Sequence, residues 1–166
     1  ISIRSADMIC EDSVNIKNSK GDIENVVINN SLYDAFDLDF SKLDIKSINI
    51  NNAKNDCLDF SFGNYKIQNA YLKNCGDKGF SIGEKSKLNL ENGFVTLSKI
   101  GVASKDESIT NIEQIKMKEI DLCLSAYKKK KEFQGSKIKI NKFNCNNYKI
   151  KQESDSLSEI SILTEY

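Results

Sequence analysis

Short runs of alternating apolar and polar residues follow one another along the whole chain. Phe36-Asp37-Leu38-Asp39-Phe40 and Leu58-Asp59-Phe60-Ser61-Phe62 are the plainest, and Leu43-Asp44-Ile45, Ile48-Asn49-Ile50, Tyr65-Lys66-Ile67 and Ala70-Tyr71-Leu72 obey the same rule. Period-two alternation buries one face and wets the other, so each run predicts a strand. No stretch of helical spacing interrupts them. Asn, Gly, Ser and Lys lie between the runs and supply the turns.

The runs repeat. Asp12-Ser13-Val14-Asn15-Ile16 aligns with Asp34-Ala35-Phe36-Asp37-Leu38, with Asp56-Cys57-Leu58-Asp59-Phe60, with Lys78-Gly79-Phe80-Ser81-Ile82 and with Ile100-Gly101-Val102-Ala103-Ser104, always 22 residues apart. A second element keeps the same beat. Val26 and Ile28 answer to Ile48 and Ile50, then to Ala70 and Leu72. After a one-residue slip come Gly93 and Val95, then Ile115 and Met117, and last Phe143 and Cys145. A short coil of two or three strands cannot bury its apolar face alone, but stacked copies can. The fold class expected is therefore all-β, a parallel β-solenoid. At the inter-strand spacing of about 4.8 Å it would have roughly seven coils and be about 35 Å long.

Ile28, Ile50, Leu72, Val95, Met117 and Cys145 should then form one buried column. Asn30, Asn52 and Asn74 share a spacing of 22 at a turn, which suits an asparagine ladder between coils; Asn also tolerates the left-handed turn conformation. A leucine-rich repeat would match Ile45-x-x-Ile48-x-Ile50, but it leaves no place for the second alternating strand.

Composition narrows the field. The chain has 166 residues with 24 basic and 24 acidic side chains, so bulk electrostatics gives no reason to expect nucleic acid as partner. There is no His, which removes His-based triads and the usual zinc enzymes. No apolar run approaches the length of a membrane span. Cys10, Cys57, Cys75, Cys123 and Cys145 have no CxxC spacing, and most read as small core residues. The opening Ile1 has no signal-peptide pattern around it, so the sequence reads as part of a longer protein, with further domains of the same chain as partners. Residues 1–166 read as one domain, and 151–166 as a cap or final coil.

Asn74-Cys75-Gly76-Asp77-Lys78-Gly79-Phe80-Ser81-Ile82-Gly83-Glu84, with Asn55-Asp56-Cys57-Leu58-Asp59-Phe60 before it and Gly101-Val102-Ala103-Ser104-Lys105-Asp106 after it, resembles right-handed parallel β-helix repeat proteins. The likeness, over about residues 30 to 150, is to a bacterial group whose coils read NDALD and GDKGISVGEKS. Wider relatives include pectate and alginate lyases, mannuronan epimerases and non-catalytic surface proteins. The resemblance implies a right-handed coil, a carbohydrate partner and a secreted or cell-surface location. It does not fix a reaction.

Candidate chemistry falls on one strip. In this register Asp37, Asp59, Ser81 and Ala103 form a row, and Asp39, Ser61, Gly83 and Lys105 the next, all expected to face water. Asp77, Lys78, Glu84 and Asp106 lie beside them. Stacked carboxylates need lysines, water or a cation such as Ca²⁺ to hold them; no metal-ligand motif is present. Lys78 and Lys105 are the candidate catalytic bases of a lyase or epimerase, provided their pKa values are depressed. The same residues read equally as ligand contacts or as ordinary charge pairs. Lys128-Lys129-Lys130-Lys131 sits in an insertion that lengthens one coil from 22 to 28 residues. With Tyr127 and Phe133 it offers cations and rings to an anionic polysaccharide, although a charge run is also what a solvated loop carries. Three functions stay open: a non-catalytic module binding or displaying along a polysaccharide, an acidic-polysaccharide lyase or C5-epimerase, and a structural or protein-interaction solenoid.

Overall fold

The computed structural model describes the backbone of residues 2–4 and all of residues 11–166, and among these there is no helix. Eleven strands run β1 (Ser2–Arg4), β2 (Val14–Lys17), β3 (Lys20–Ser31), β4 (Phe36–Asp39), β5 (Lys42–Ala53), β6 (Leu58–Ser61), β7 (Asn64–Gly83), β8 (Lys87–Lys105), β9 (Ile109–Tyr127), β10 (Lys137–Ser154) and β11 (Glu159–Glu165). Every pairing is parallel, in the order β1-β3-β5-β7-β8-β9-β10-β11, with β2, β4 and β6 stacking beside this path and joining it at β7. The chain is a right-handed parallel β-solenoid of about seven turns.

Each coil has three faces, and the coil of β5 and β6 shows why. Leu43 and Ile45 point inward, then Lys46 and Ser47 both point outward, and Ile48 and Ile50 point inward again. That break in the alternation is a bend. Asn52 then turns the corner with a positive φ of 65°. Leu58 and Phe60 form the third face before Phe62 turns the next corner at 49°.

The register is the one the repeat demands. Ile28, Ile50, Leu72, Val95, Met117 and Cys145 are consecutive partners, and all but the half-buried Cys145 are buried. Asn52 Nδ2 donates to Asn30 Oδ1 at 2.9 Å and Asn74 Nδ2 to Asn52 Oδ1 at 2.6 Å, while all three hold positive φ. Ladder and left-handed turn are thus one device. The one-residue slip enters where Glu84 and Lys85 replace the single corner residue Phe62, and it is given back between Ser98 and Ile100.

One expectation is corrected here. Cys57 pairs with Cys75 and Cys123 with Cys145 in disulfides, with Cα separations of 5.4 and 6.6 Å. These cysteines are core residues as expected, but stacking also brings positions about one coil apart within bridging reach. Cys10 lies outside the described residues. The end of the chain stays on the repeat as well: Ile160 and Ile162 of β11 stand opposite Ile138 and Ile140 of β10.

Candidate functional site

The strip of charged residues lies on the third face. Asn15, Asp37, Asp59, Ser81 and Ala103 are consecutive partners along it. The expected exposure is not found. Ser81, Ala103 and Asp106 are fully buried, Asp56 is 4% and Lys105 7% exposed, and Asp37 and Asp59 are half-buried. Side-chain length explains this. The row shrinks from Asp to Ser to Ala, and Gly83 has no side chain, so Lys105 folds back along the face. Its Nζ donates to Ser81 Oγ at 2.7 Å and reaches Asp59 at 3.9 Å.

The repeated aspartates have a structural task. Asp34 Oδ1 accepts from the Asp56 amide and from Asn55 Nδ2, each at 2.8 Å, and Asp56 Oδ1 accepts from the Lys78 amide at 3.0 Å. Each carboxylate thus caps the next coil. Lys78 Nζ lies 3.5 Å from Asp56 and also pairs with Asp77. Burial alone would lower its pKa, but Asp56 and Asp77 raise it above the ordinary lysine value. A depressed base is not what Lys78 provides. Among the described residues Asp37 has only Asn15 as hydrogen-bond donor; burial first, and then the neighbouring Asp39 and Asp59, push it up to about 7. Asp56 rises to about 6, mainly through burial and against the pull of Lys78.

The 28-residue coil closes over this strip. Lys129 and Lys130 donate their amides to Asp106 Oδ1 at 2.7 and 2.8 Å, and the Lys128 amide donates to Asp155 Oδ2 at 2.7 Å. Lys130 Nζ pairs with Glu84, which also accepts from Ser61 Oγ. Burial raises Glu84, but these two partners outweigh it and hold the carboxyl below its usual range. Phe133 is 8% exposed, its ring 6.1 Å from that of Phe62, so it anchors the insertion rather than offering a free platform. Phe62 in turn stacks on Phe40 at 4.8 Å. Tyr127 is half-buried at the end of β9, close enough to Lys78 and Asp77 to feel their charge. The structure therefore brings all the strip candidates together, largely paired with one another. Among the described residues, no three Asp, Glu, Cys or His side chains stand so as to hold a metal ion.

A groove not foreseen from the sequence lies at the bend. It encloses about 850 Å³ and crosses six coils. One wall is the row Asp44, Lys66, Asn89 and Asn111, and the other is Lys46, Gln68, Glu91 and Glu113; between them runs the chain at Ile45, Ile67, Leu90 and Ile112, whose side chains are buried in the core. Lys46 pairs with Glu24 at 3.1 Å and Lys66 with Asp44 at 3.9 Å, while Asn111 Nδ2 donates to Asn89 Oδ1 at 3.1 Å. Its signal in the sequence is the pair of adjacent polar residues Lys46-Ser47, repeated as Gln68-Asn69, Glu91-Asn92 and Glu113-Gln114.

No protein-family model matches the chain, and neither curated proteins nor solved structures give a match to it.

Proposed function

We propose that this chain is a non-catalytic β-solenoid module that binds a polysaccharide lengthwise on its outer surface. The observation that carries the reading is the groove at the bend, continuous over six coils and walled by amides and charged side chains of both signs. Such walls suit an extended polymer rich in hydroxyl groups, which needs many modest hydrogen bonds rather than one deep pocket. Two disulfides support a secreted or cell-surface setting, since such bonds persist in oxidising compartments. The resemblance to bacterial parallel β-helix proteins points the same way. Lyase or epimerase chemistry is the weaker reading, because Asp56 and Asp77 hold Lys78 protonated.

Affinity electrophoresis of the chain through gels containing neutral and acidic polysaccharides tests this. Retardation is expected, and Gln68→Ala with Asn89→Ala should reduce it severalfold without lowering Tm. Free migration through every polysaccharide would sink the proposal.

A further inference from the structure

The face between the bend and the Asn52 corner turns three rows of side chains outward. Its central row runs Val27, Asn49, Tyr71, Phe94, Lys116 and Asn144. Tyr71 and Phe94 are neighbours on adjacent strands, 51% and 40% exposed, so two rings stand side by side on an otherwise polar sheet. Lys73 and Lys118 occupy the row on one side and Lys142 the row on the other. The remaining positions are asparagine, apart from one each of Gln, Ser, Thr and Val. Between Asn25 and Asn146 no Asp or Glu stands in any of the three rows.

That segregation is unlike the rest of the molecule. Elsewhere carboxylates stand among the lysines, and several pair with them, as in Lys46–Glu24, Lys66–Asp44 and Lys78–Asp56. On this face Lys73, Lys116 and Lys142 have no carboxylate partner among the described residues, and Lys118 meets only Glu119 at the corner, at 3.6 Å. Lysines held on one rigid sheet with no anion between them repel, and an anionic ligand removes the repulsion. An electron-rich ring face takes the C–H side of a sugar ring, amides take its hydroxyls, and ammonium groups take its acidic substituents. Nucleic acid fits less well: amides outnumber cations here and the chain carries no net charge.

We infer that this face binds an anionic glycan, with a sugar ring on Tyr71 and Phe94 and carboxylate or sulfate groups on Lys73, Lys116 and Lys118. The inference rests on the polysaccharide-binding reading and adds the face and the charge class.

Calorimetric titration of the chain with polygalacturonate, its fully methyl-esterified form and chondroitin sulfate tests it. At least one of the two anionic polymers should bind, the methyl ester at least tenfold more weakly than polygalacturonate if the carboxylate is the group read. A preference for chondroitin sulfate would identify sulfate instead. Lys116→Gln with Lys118→Gln, and separately Tyr71→Ala with Phe94→Ala, should each weaken binding about tenfold, with Tm nearly unchanged because the side chains are exposed. Added salt should weaken binding too. Equal binding of the methyl ester and polygalacturonate with no preference for chondroitin sulfate, or undiminished binding in the lysine variant, overturns the inference and leaves the groove reading standing. Binding to none of a full panel of polysaccharides overturns both. Tighter binding of single-stranded DNA than of any glycan also overturns it.

Discussion

At the scale of single residues, the strip couples folding to pH. Asp37 has a pKa of about 7 in the fold against 3.8 unperturbed, and Asp56 about 6. A carboxyl whose folded pKa is raised is easier to protonate in the fold. It costs nothing below about pH 4, costs more as pH climbs towards 7, and levels off above that. Three pKa units correspond to ~4 kcal/mol as a ceiling, and partial solvent access to Asp37 reduces this to about 1–2 kcal/mol. Asp37→Asn keeps an oxygen for Asn15 and removes the charge. It should raise Tm by about 2–6 °C at pH 8 and leave it unchanged at pH 4. Equal effects at both pH values would show that burial and the neighbouring carboxylates do not raise the pKa of Asp37. Glu84 has the opposite sign, since Lys130 and Ser61 stabilise its charged form and that contribution fades as pH falls through its folded pKa.

At the scale of elements, the corner after the middle face separates two contributions of one residue. Asn52 supplies a positive φ and an amide rung, whereas Leu97 and Glu119 hold positive φ at the same corner as non-amide residues. Asn52→Gly keeps the turn and loses both ladder bonds, to Asn30 and from Asn74, so it should cost about 1–3 kcal/mol. Asn52→Ala loses both, and the left-handed backbone adds about 1–2 kcal/mol. Chemical denaturation of the two variants checks this; equal costs would mean that the backbone is unstrained there. The column from Ile28 to Cys145 was legible in the sequence because each residue packs on its equivalent one coil away, which turns burial into a period. Exposure of the strip was not legible. It depends on how Lys105 lies across shorter residues and on where an insertion of irregular sequence comes to rest. The bend was hidden for another reason: Lys46-Ser47 and its equivalents resemble turn residues, although the strand continues through them. The disulfides escaped because separations of 18 and 22 look distant until the coil length is used to measure them.

At the scale of the whole molecule, each coil is stabilised only by the coils beside it, so stability accumulates by contact between neighbours. The two disulfides alter that arithmetic by closing loops of 18 and 22 residues, each worth ~3 kcal/mol in the chain-entropy account. Reduction with dithiothreitol under native conditions should therefore lower Tm by several degrees, with Cys57→Ser/Cys75→Ser reproducing part of the fall. An unchanged melting curve after verified reduction would mean that core packing alone sets stability. The same loops bear on mechanics. A parallel coil stack pulled along its axis gives way like thread from a spool, each turn releasing its contour once its neighbour's backbone bonds break. The cystines short-circuit that path, since force passes through the sulfurs and the enclosed residues never extend. At about 3.4 Å per residue, roughly 60 and 75 Å of thread stay coiled while the rest runs out, so an anchored oxidised molecule is shorter at full extension than its reduced form.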